Sequence, residues 1–558
     1  MENPTQGKVG IKTGKGSAIQ SLRDQKREMR NDRTSFDDQY RDIKDLVRPL
    51  SPDFTQNTTG QATHKGDRLH DNVFDGTAIW ASEQMANGIH SLVLNPQERW
   101  FSLGVKGRNT KDLSDEWKAY LENTTDSLFH HFNIPRVNFA PAFHEFFLDL
   151  VSFGTAVMME IFDHDTGIIR FRPYPLADCW LAENANNEID VIFRETRMTA
   201  RQIKEKFGQS NGTIDQKILD EKDSTKRFLV THAVLPRKDR VGGSKTKTNK
   251  AFASYYFCEE TEDIFEEGGY DTFPYIVARW SKLAGEKYGR SPAMTCLPDI
   301  QMVNRMMKEI IVSAQLANRP PIVMEEDGFL LPISQSPGAL IWKEQGVDFP
   351  QPLNSGIRVD IPFEVVNQYR EHITRCFMVD LLKQEFKKER QTAFEIADSR
   401  DEKLRAMSPA LSRMEIEVLG PLLGRTIALL EDAEIIGPPP EDGVVFDIVY
   451  NSPASKAQTA SKAVELGRAI QDAIPMGQVF PEFIEAFHPS RLAEEMLMAR
   501  SVSIKVLRTD EELSEIAQQK QEAQQTEQMQ GMASAGGDAA GALKDVASAQ
   551  ESGINLGL

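Results

Sequence analysis

Apolar residues recur at helical spacing along several stretches of the chain. From about Ser21 to Val47, Leu22, Met29, Tyr40, Ile43 and Leu46 are scattered among many charges, and Pro49 with Ser51-Pro52-Asp53 ends the pattern. Ahead of it, residues 1–24 are rich in Gly, Lys and Thr and read as a flexible arm. A helix is predicted from Asp75 to Leu94, with Ile79, Met85, Ile89 and Leu92 on one face, stopped by Asn95-Pro96. The run RWFSLGV then reads as a short buried strand. Residues 114–132 and 139–153 carry two more helical patterns, the second dense in Phe139, Phe143, Phe146 and Phe147. The period then drops to two. AVMMEIFD and IIRFRPY are two strands about a Gly-containing turn, VIFRETRMT is a third leading to a short helix ending near Phe207-Gly208, and strands resume over 227–280. Helices come first and sheet second, an α+β order.

In the second half a rod is predicted from about Pro298 to Asn318. Ile300, Val303, Met307, Ile310, Ala314 and Ala317 fall in a three-then-four rhythm over about 31 Å. Arg319-Pro320-Pro321 breaks it, and a Pro- and Gly-rich insert follows to residue 360. A second rod from about Pro362 to Phe386 presents Val366, Tyr369, Ile373, Phe377 and Leu381. Two rods flanking one insert suggest an antiparallel pair with a small module at its tip. Beyond Lys387-Lys388-Glu389-Arg390-Gln391, a long helical pattern runs from Thr392 to Glu431, with kinks expected at Pro409 and Gly420-Pro421. A strand follows at VVFDIVYNSP, then helices at 454–473 and 480–499. From about Asp510 the chain is either a polar helix fading into disorder or a helix that needs neighbours. The overall class is α+β, mainly helical.

Charge changes the picture. The chain has 65 basic and 83 acidic residues, a net −18 over 558 residues. Duplex-gripping proteins carry a basic footprint, so either DNA is no partner or it is one that must not be held tightly. No apolar run approaches membrane-spanning length, and no secretory signal opens the chain. Cys179, Cys258, Cys296 and Cys376 lack metal-ligand spacing and read as reduced thiols. The search for chemistry finds no catalytic residue, metal site or cofactor. Gly10 to Ser17 has the wrong glycine spacing for a phosphate loop and no strand before it. Asp163-x-Asp165-x-Gly167 lacks the distal Glu of a calcium loop and reads as a hairpin turn. His130-His131 reads as a solvated helix end, and Ser152-Phe153-Gly154 is not a nucleophile elbow. One basic cluster, Lys383, Lys387, Lys388 and Arg390, is either a solvated helix end or a loop facing DNA.

Four segments resemble the portal (head-to-tail connector) proteins of short-tailed, podovirus-type bacteriophages. They are DGTAIWASEQMANGIHSLVLNPQERWFSL (75–103), GIIRFRPYPLADCWLAENANNEIDVIFRETRMTARQIKEKFG (167–208), PYIVARWSKLAGEKYGRSPAMTCLPDIQMVN (274–304) and RQTAFEIADSRDEKL (390–404). Their order and spacing carry the match over about residues 25–450, whereas the last hundred residues carry no such signature. The resemblance implies a dodecameric ring at one capsid vertex, a conduit for genome packaging and ejection, and no enzyme. It implies a wing at 25–290, a first stem helix at 291–318, a clip at 319–360 and a second stem helix at 361–386. A tunnel loop at 387–392, a long kinked helix with a return strand of the wing at 393–452, crown helices at 453–509 and a polar tail at 510–558 complete it. Implied partners are other copies of the chain, double-stranded DNA sliding without sequence readout, the packaging terminase, a tail adaptor, and the capsid and scaffold proteins, with no membrane. Lys383, Lys387, Lys388 and Arg390 would meet DNA in the channel, and Phe329 and Trp342 would anchor docking at the clip. An acidic conduit suits a duplex that must slide. The alternatives are another structural phage protein, scaffold or capsid subunit, and a packaging ATPase or nuclease.

Overall fold

The computed structural model describes residues 15–52, 54, 71–94, 99–108, 113–163, 166–208, 226–237, 246–318, 322–323, 351–352, 360–382, 407–441 and 446–450, with a few single positions besides. The chain divides into one unit of Met1–Asp112 and Ala119–Ser452 and another of Leu113–Lys118 and Pro453–Leu558. The architecture below belongs to the first.

In chain order the elements are α1 (Lys15–Leu46), α2 (Thr77–Val93), β1 (Phe101–Val105), α3 (Asp115–Phe132) and α4 (Phe139–Phe153). Then come β2 (Thr155–Asp163), β3 (Ile168–Tyr174), β4 (Cys179–Glu183), β5 (Ile189–Thr199) and α5 (Ala200–Phe207). Four strands follow: β6 (Arg227–Pro236), β7 (Phe252–Cys258), β8 (Asp263–Tyr270) and β9 (Tyr275–Arg279). The rest are α6 (Leu297–Asn318), the two-residue pair β10 (Ile322–Val323) and β11 (Gln351–Pro352), α7 (Asp360–Cys376), α8 (Gly420–Asp432) and β12 (Phe446–Tyr450). The fold is mixed α+β. The strands β4 to β8 form a sequential antiparallel meander, β3-β2-β9 a second sheet, and β1 pairs with β12 across most of the chain's length.

The helix α1 starts at Lys15, ahead of the expected Ser21, so the flexible-arm reading of 1–24 is corrected from Lys15 onward. Ile19 and Leu22 are buried there and hold the helix down. Its buried positions are Ile19, Leu22, Lys26, Met29, Arg33, Phe36, Tyr40 and Ile43, in unbroken steps of three and four. Ile19, Leu22 and Met29 pack on Trp180, Phe193, Ala233 and Phe257 of the meander. The two cations in the stripe are satisfied. Lys26 Nζ meets Glu195 and lies 2.5 Å from Glu259 Oε1. Arg33 donates to the carbonyls of Leu176, Cys179 and Ala177 and to Asp37, while its guanidinium stacks 4.9 Å from Trp180.

The helix α4 sinks Phe139, Phe143, Phe146 and Phe147 into a core shared with Trp100, Phe132 and Phe171, each ring contributing roughly 1.5–3 kcal/mol. At its end Gly154 has φ +76, and a side chain there would come within 2.5 Å of the Gly289 carbonyl. Ser152-Phe153-Gly154 is thus a helix-to-strand crossing, with no nucleophile displayed. His131 is corrected from a solvated end. It is 7% exposed, its Nε2 accepts from Ile169 N at 3.2 Å, and burial, aided by His130, lowers its pKa. The turn Asp163–Gly167 closes the β2-β3 hairpin, with Gly167 N donating to the Asp163 carbonyl at 2.8 Å.

A buried ionic node joins the two larger sheets. Arg279 on β9 is 4% exposed and meets Glu183 of β4 and, at 2.8 Å, Glu417. Glu417 sits in a π-helical turn, Glu415–Leu419, just ahead of Pro421. The expected kink at Gly420-Pro421 therefore takes the form of a π-turn, because Pro421 has no N–H for the regular ladder and Gly420 N reaches back to the Glu415 carbonyl.

Candidate functional site

The paired helices α6 and α7 carry the surface with most to explain. A short helix, Pro292–Thr295, leads into α6; Ser291 caps it, accepting from Met294 N at 2.9 Å, with Pro292 in its first turn. Leu297, Ile300, Val303 and Ile310 of α6 are buried, as are Val366 and Ile373 of α7, and the two helices pack together and onto α1 and α2. Of the stripes read from sequence, Ile300, Val303 and Ile310 and then Val366, Ile373 and Phe377 are buried, whereas Ala317 is exposed.

Polar side chains fix the base of the pair. The Asn304 amide oxygen accepts from Phe74 N at 2.7 Å and Asp75 N at 3.3 Å, while its nitrogen donates to the Asn72 carbonyl at 2.9 Å. Asp75 accepts from Thr77 N at the start of α2 and pairs with Arg370 of α7 at 2.7 Å. Burial pushes the Asp75 carboxyl up, but the Thr77 and Arg370 hydrogen bonds outweigh it and hold the group below its ordinary value. Asp299 and His372 meet across the pair at 2.6 Å, and Gln301 donates to Asp42 of α1.

Two expectations change. The second rod does not run to Phe386 as one helix. The helix α7 stops at Cys376, Met378 takes φ +51, and a short helix, Val379–Leu382, follows with Phe377 and Val379 buried. The reversal lets both side chains reach the core, and no Gly or Pro marked it. Secondly, burial on α6 ends at Ile310. Ile311, Val312 and Leu316 are 39%, 41% and 41% exposed, Met302 is 46% exposed, and Phe363 at the start of α7 is 43% exposed. At 3.6 residues per turn, Val312 and Leu316 lie on the side opposite the buried stripe, and Met302 shares that side about 15 Å away along the axis, with the exposed Arg305 and Glu309 between. The helix α6 thus has one packed apolar face and, on the far side of its last turns, a small open apolar patch.

Lys383, Lys387, Lys388 and Arg390, and Phe329 and Trp342, all lie outside the described residues, as do the insert, apart from β10 and β11, and nearly all of 453–558. The structure therefore brings none of these candidates together. What sequence reading missed was the open patch, because Met302, Val312 and Leu316 break the rhythm of the first stripe. Val312 and Leu316, four residues apart, were the available signal. Among the described residues, no group of His, Cys, Asp and Glu is arranged to hold a metal ion, and no helix is long and apolar enough to cross a membrane.

Comparison with known proteins adds a family. The sequence model of the family described as bacteriophage head to tail connecting protein matches residues 20–507. A probable portal protein of Bordetella phage BPP-1 is 26% identical over 545 residues, covering 94% of this chain and 95% of the relative. A portal protein of Salmonella phage epsilon15 is 23% identical over 539 residues, with 94% and 95% covered.

Proposed function

The chain belongs to the family of bacteriophage head to tail connecting proteins, and on that premise we propose that it is the portal subunit of a short-tailed phage. Copies close into a dodecameric ring at one capsid vertex, and the ring is the channel through which DNA enters and leaves. The observation that carries this reading is the open apolar patch at the end of α6. Among the described residues Val312 and Leu316 stay exposed, and a heterologous contact through such a patch, repeated around an axis, closes a ring.

The remaining assignments rest on the same premise. The segment 319–360 at the tip of the pair is the clip, docking the terminase and then the tail adaptor through Phe329 and Trp342. The segment 387–392 follows the pair and is the tunnel loop. Lys383, Lys387, Lys388 and Arg390 touch passing phosphates there, contacts that are independent of sequence and weakened by salt. The net charge of −18 keeps the rest of the conduit from gripping the duplex. Neutralising Lys387, Lys388 and Arg390 to Gln is expected to leave rings intact and to reduce the DNA retained per particle. Class averages of the purified protein in negative stain test the reading as a whole: closed rings with a central hole are expected, and a stable monomer at micromolar concentration contradicts it.

A further inference from the structure

The face of the meander away from α1 holds a cavity of about 440 Å³. Side chains alternate across a sheet, and the register sets Arg194 opposite His232 and His232 opposite Tyr256. These three therefore project together from β5, β6 and β7 into the cavity floor. Lys206 of α5 and Arg172 of β3 stand at its rim.

The floor is positive, and among the described residues no carboxylate is hydrogen-bonded to Arg194. Arg194 is 6% exposed and each of its hydrogen-bond and stacking partners is neutral, the nearby Asp178 carboxylate acting on it without a direct contact. Its Nε donates to the Tyr275 hydroxyl at 3.1 Å, its Nη1 to Thr196 Oγ1 at 3.0 Å, and its guanidinium stacks 3.9 Å from the Tyr174 ring centroid. Among the described residues nothing takes a hydrogen bond from Nη2, which is left to the cavity. His232 supplies no compensation. It is held between Tyr275 at 2.6 Å and Ser254 at 2.9 Å, and burial, then Arg194 and Lys206, keeps it neutral. Lys206 Nζ lies 4.2 Å from the Tyr256 ring centroid; burial, then Arg194, brings its pKa down to about 8, against Glu266, which raises it. Glu145 is the carboxylate at the rim, exposed and unpaired with any of the three cations. A buried guanidinium with no carboxylate hydrogen-bonded to it is costly, and its free N–H suits an incoming oxyanion.

We propose that this cavity docks a carboxylate carried on an apolar stem, an acidic side chain or chain terminus of a protein segment, with Arg194 as anchor and Lys206 and Arg172 closing over it. The walls decide between carboxylate and phosphate. Met198, half-buried, lines the same cavity beside Phe171 and Val230, which are already buried; a hydrocarbon stem covers the exposed part of Met198, whereas a free phosphate leaves it facing water. The inference stands apart from the head-to-tail reading and survives or fails without it.

Calorimetric titration of the full-length protein at constant ionic strength tests it, with phenylpropionate, its uncharged amide and inorganic phosphate as probes. Saturable binding of phenylpropionate in the millimolar range is expected, with amide and phosphate at least about tenfold weaker. Lys206→Gln and Arg172→Gln, both at the cavity rim, are each expected to weaken phenylpropionate by about tenfold. Phosphate binding as tightly as phenylpropionate would overturn the choice of carboxylate. Absence of saturable phenylpropionate binding, or binding unchanged in both variants, would overturn the site. The probe comparison on the unaltered protein decides even if a variant fails to fold.

Discussion

The helices α1 and α6 both carry apolar residues in steps of three and four, and the fold treats them differently. On α1 every position of the stripe is covered within one chain, down to two cations, Lys26 and Arg33, whose charges end on Glu195, Glu259, Asp37 and three carbonyls. On α6 the first stripe is covered to Ile310, and beyond that and on the far face apolar residues stay open. The stripe on α1 is complete within the chain, whereas the stripe on α6 is complete only at the base of the helix pair.

The comparison breaks if the packed polar contacts between the sheets tolerate damage. Arg279→Met leaves Glu183 with Lys282, and Glu417 with Arg413 and the backbone N–H of residue 279, among the described residues, and a loss of about 3 kcal/mol is expected. The midpoint of urea unfolding measures it, and a shift too small to resolve contradicts the node's role. Glu160 on β2 is next. It is 0% exposed, and burial raises its carboxyl to about 7 against Arg425 and Thr426, which lower it. A carboxyl that binds its proton more tightly folded than unfolded costs stability as pH rises from its ordinary value, 4.5, toward 7. Glu160→Gln, which keeps the place of the Thr426 bond, is expected to flatten that fall and to be more stable at pH 8 by up to about 3 kcal/mol. Thermal melts at pH 5 and pH 8 check the sign. Asn304→Ala removes three hydrogen bonds at the base of the pair and is expected to cost about 1 kcal/mol, read from the same melts.

Much of this fold is legible in the sequence, and the gaps have physical causes. The Phe-rich α4, the β2-β3 hairpin and the paired rods follow from periodicity and turn residues. The stripe on α1 was obscured because Lys26 and Arg33 occupy core positions, and only the distant Glu195 and Glu259 make that tolerable. The end of α7 was obscured because Met378 adopts a left-handed conformation without glycine. Arg194 was invisible as a site residue, since a lone arginine in an alternating strand signals nothing until the register sets it against His232 and Tyr256. The pairing of β1 with β12 spans too much chain for any local pattern to announce.

The smallest expected effect on stability carries the largest consequence for assembly. Val312→Glu combined with Leu316→Glu places charge on the open patch of α6, where surface changes shift subunit stability by no more than about 0.5 kcal/mol. Sedimentation of the double variant is the direct test of the claim that copies join through this patch. The expected result is a folded monomer, with the circular dichroism of the parent, at concentrations where the parent sediments as a ring. Rings that persist in the double variant would show that the open patch of α6 is not where the subunits meet.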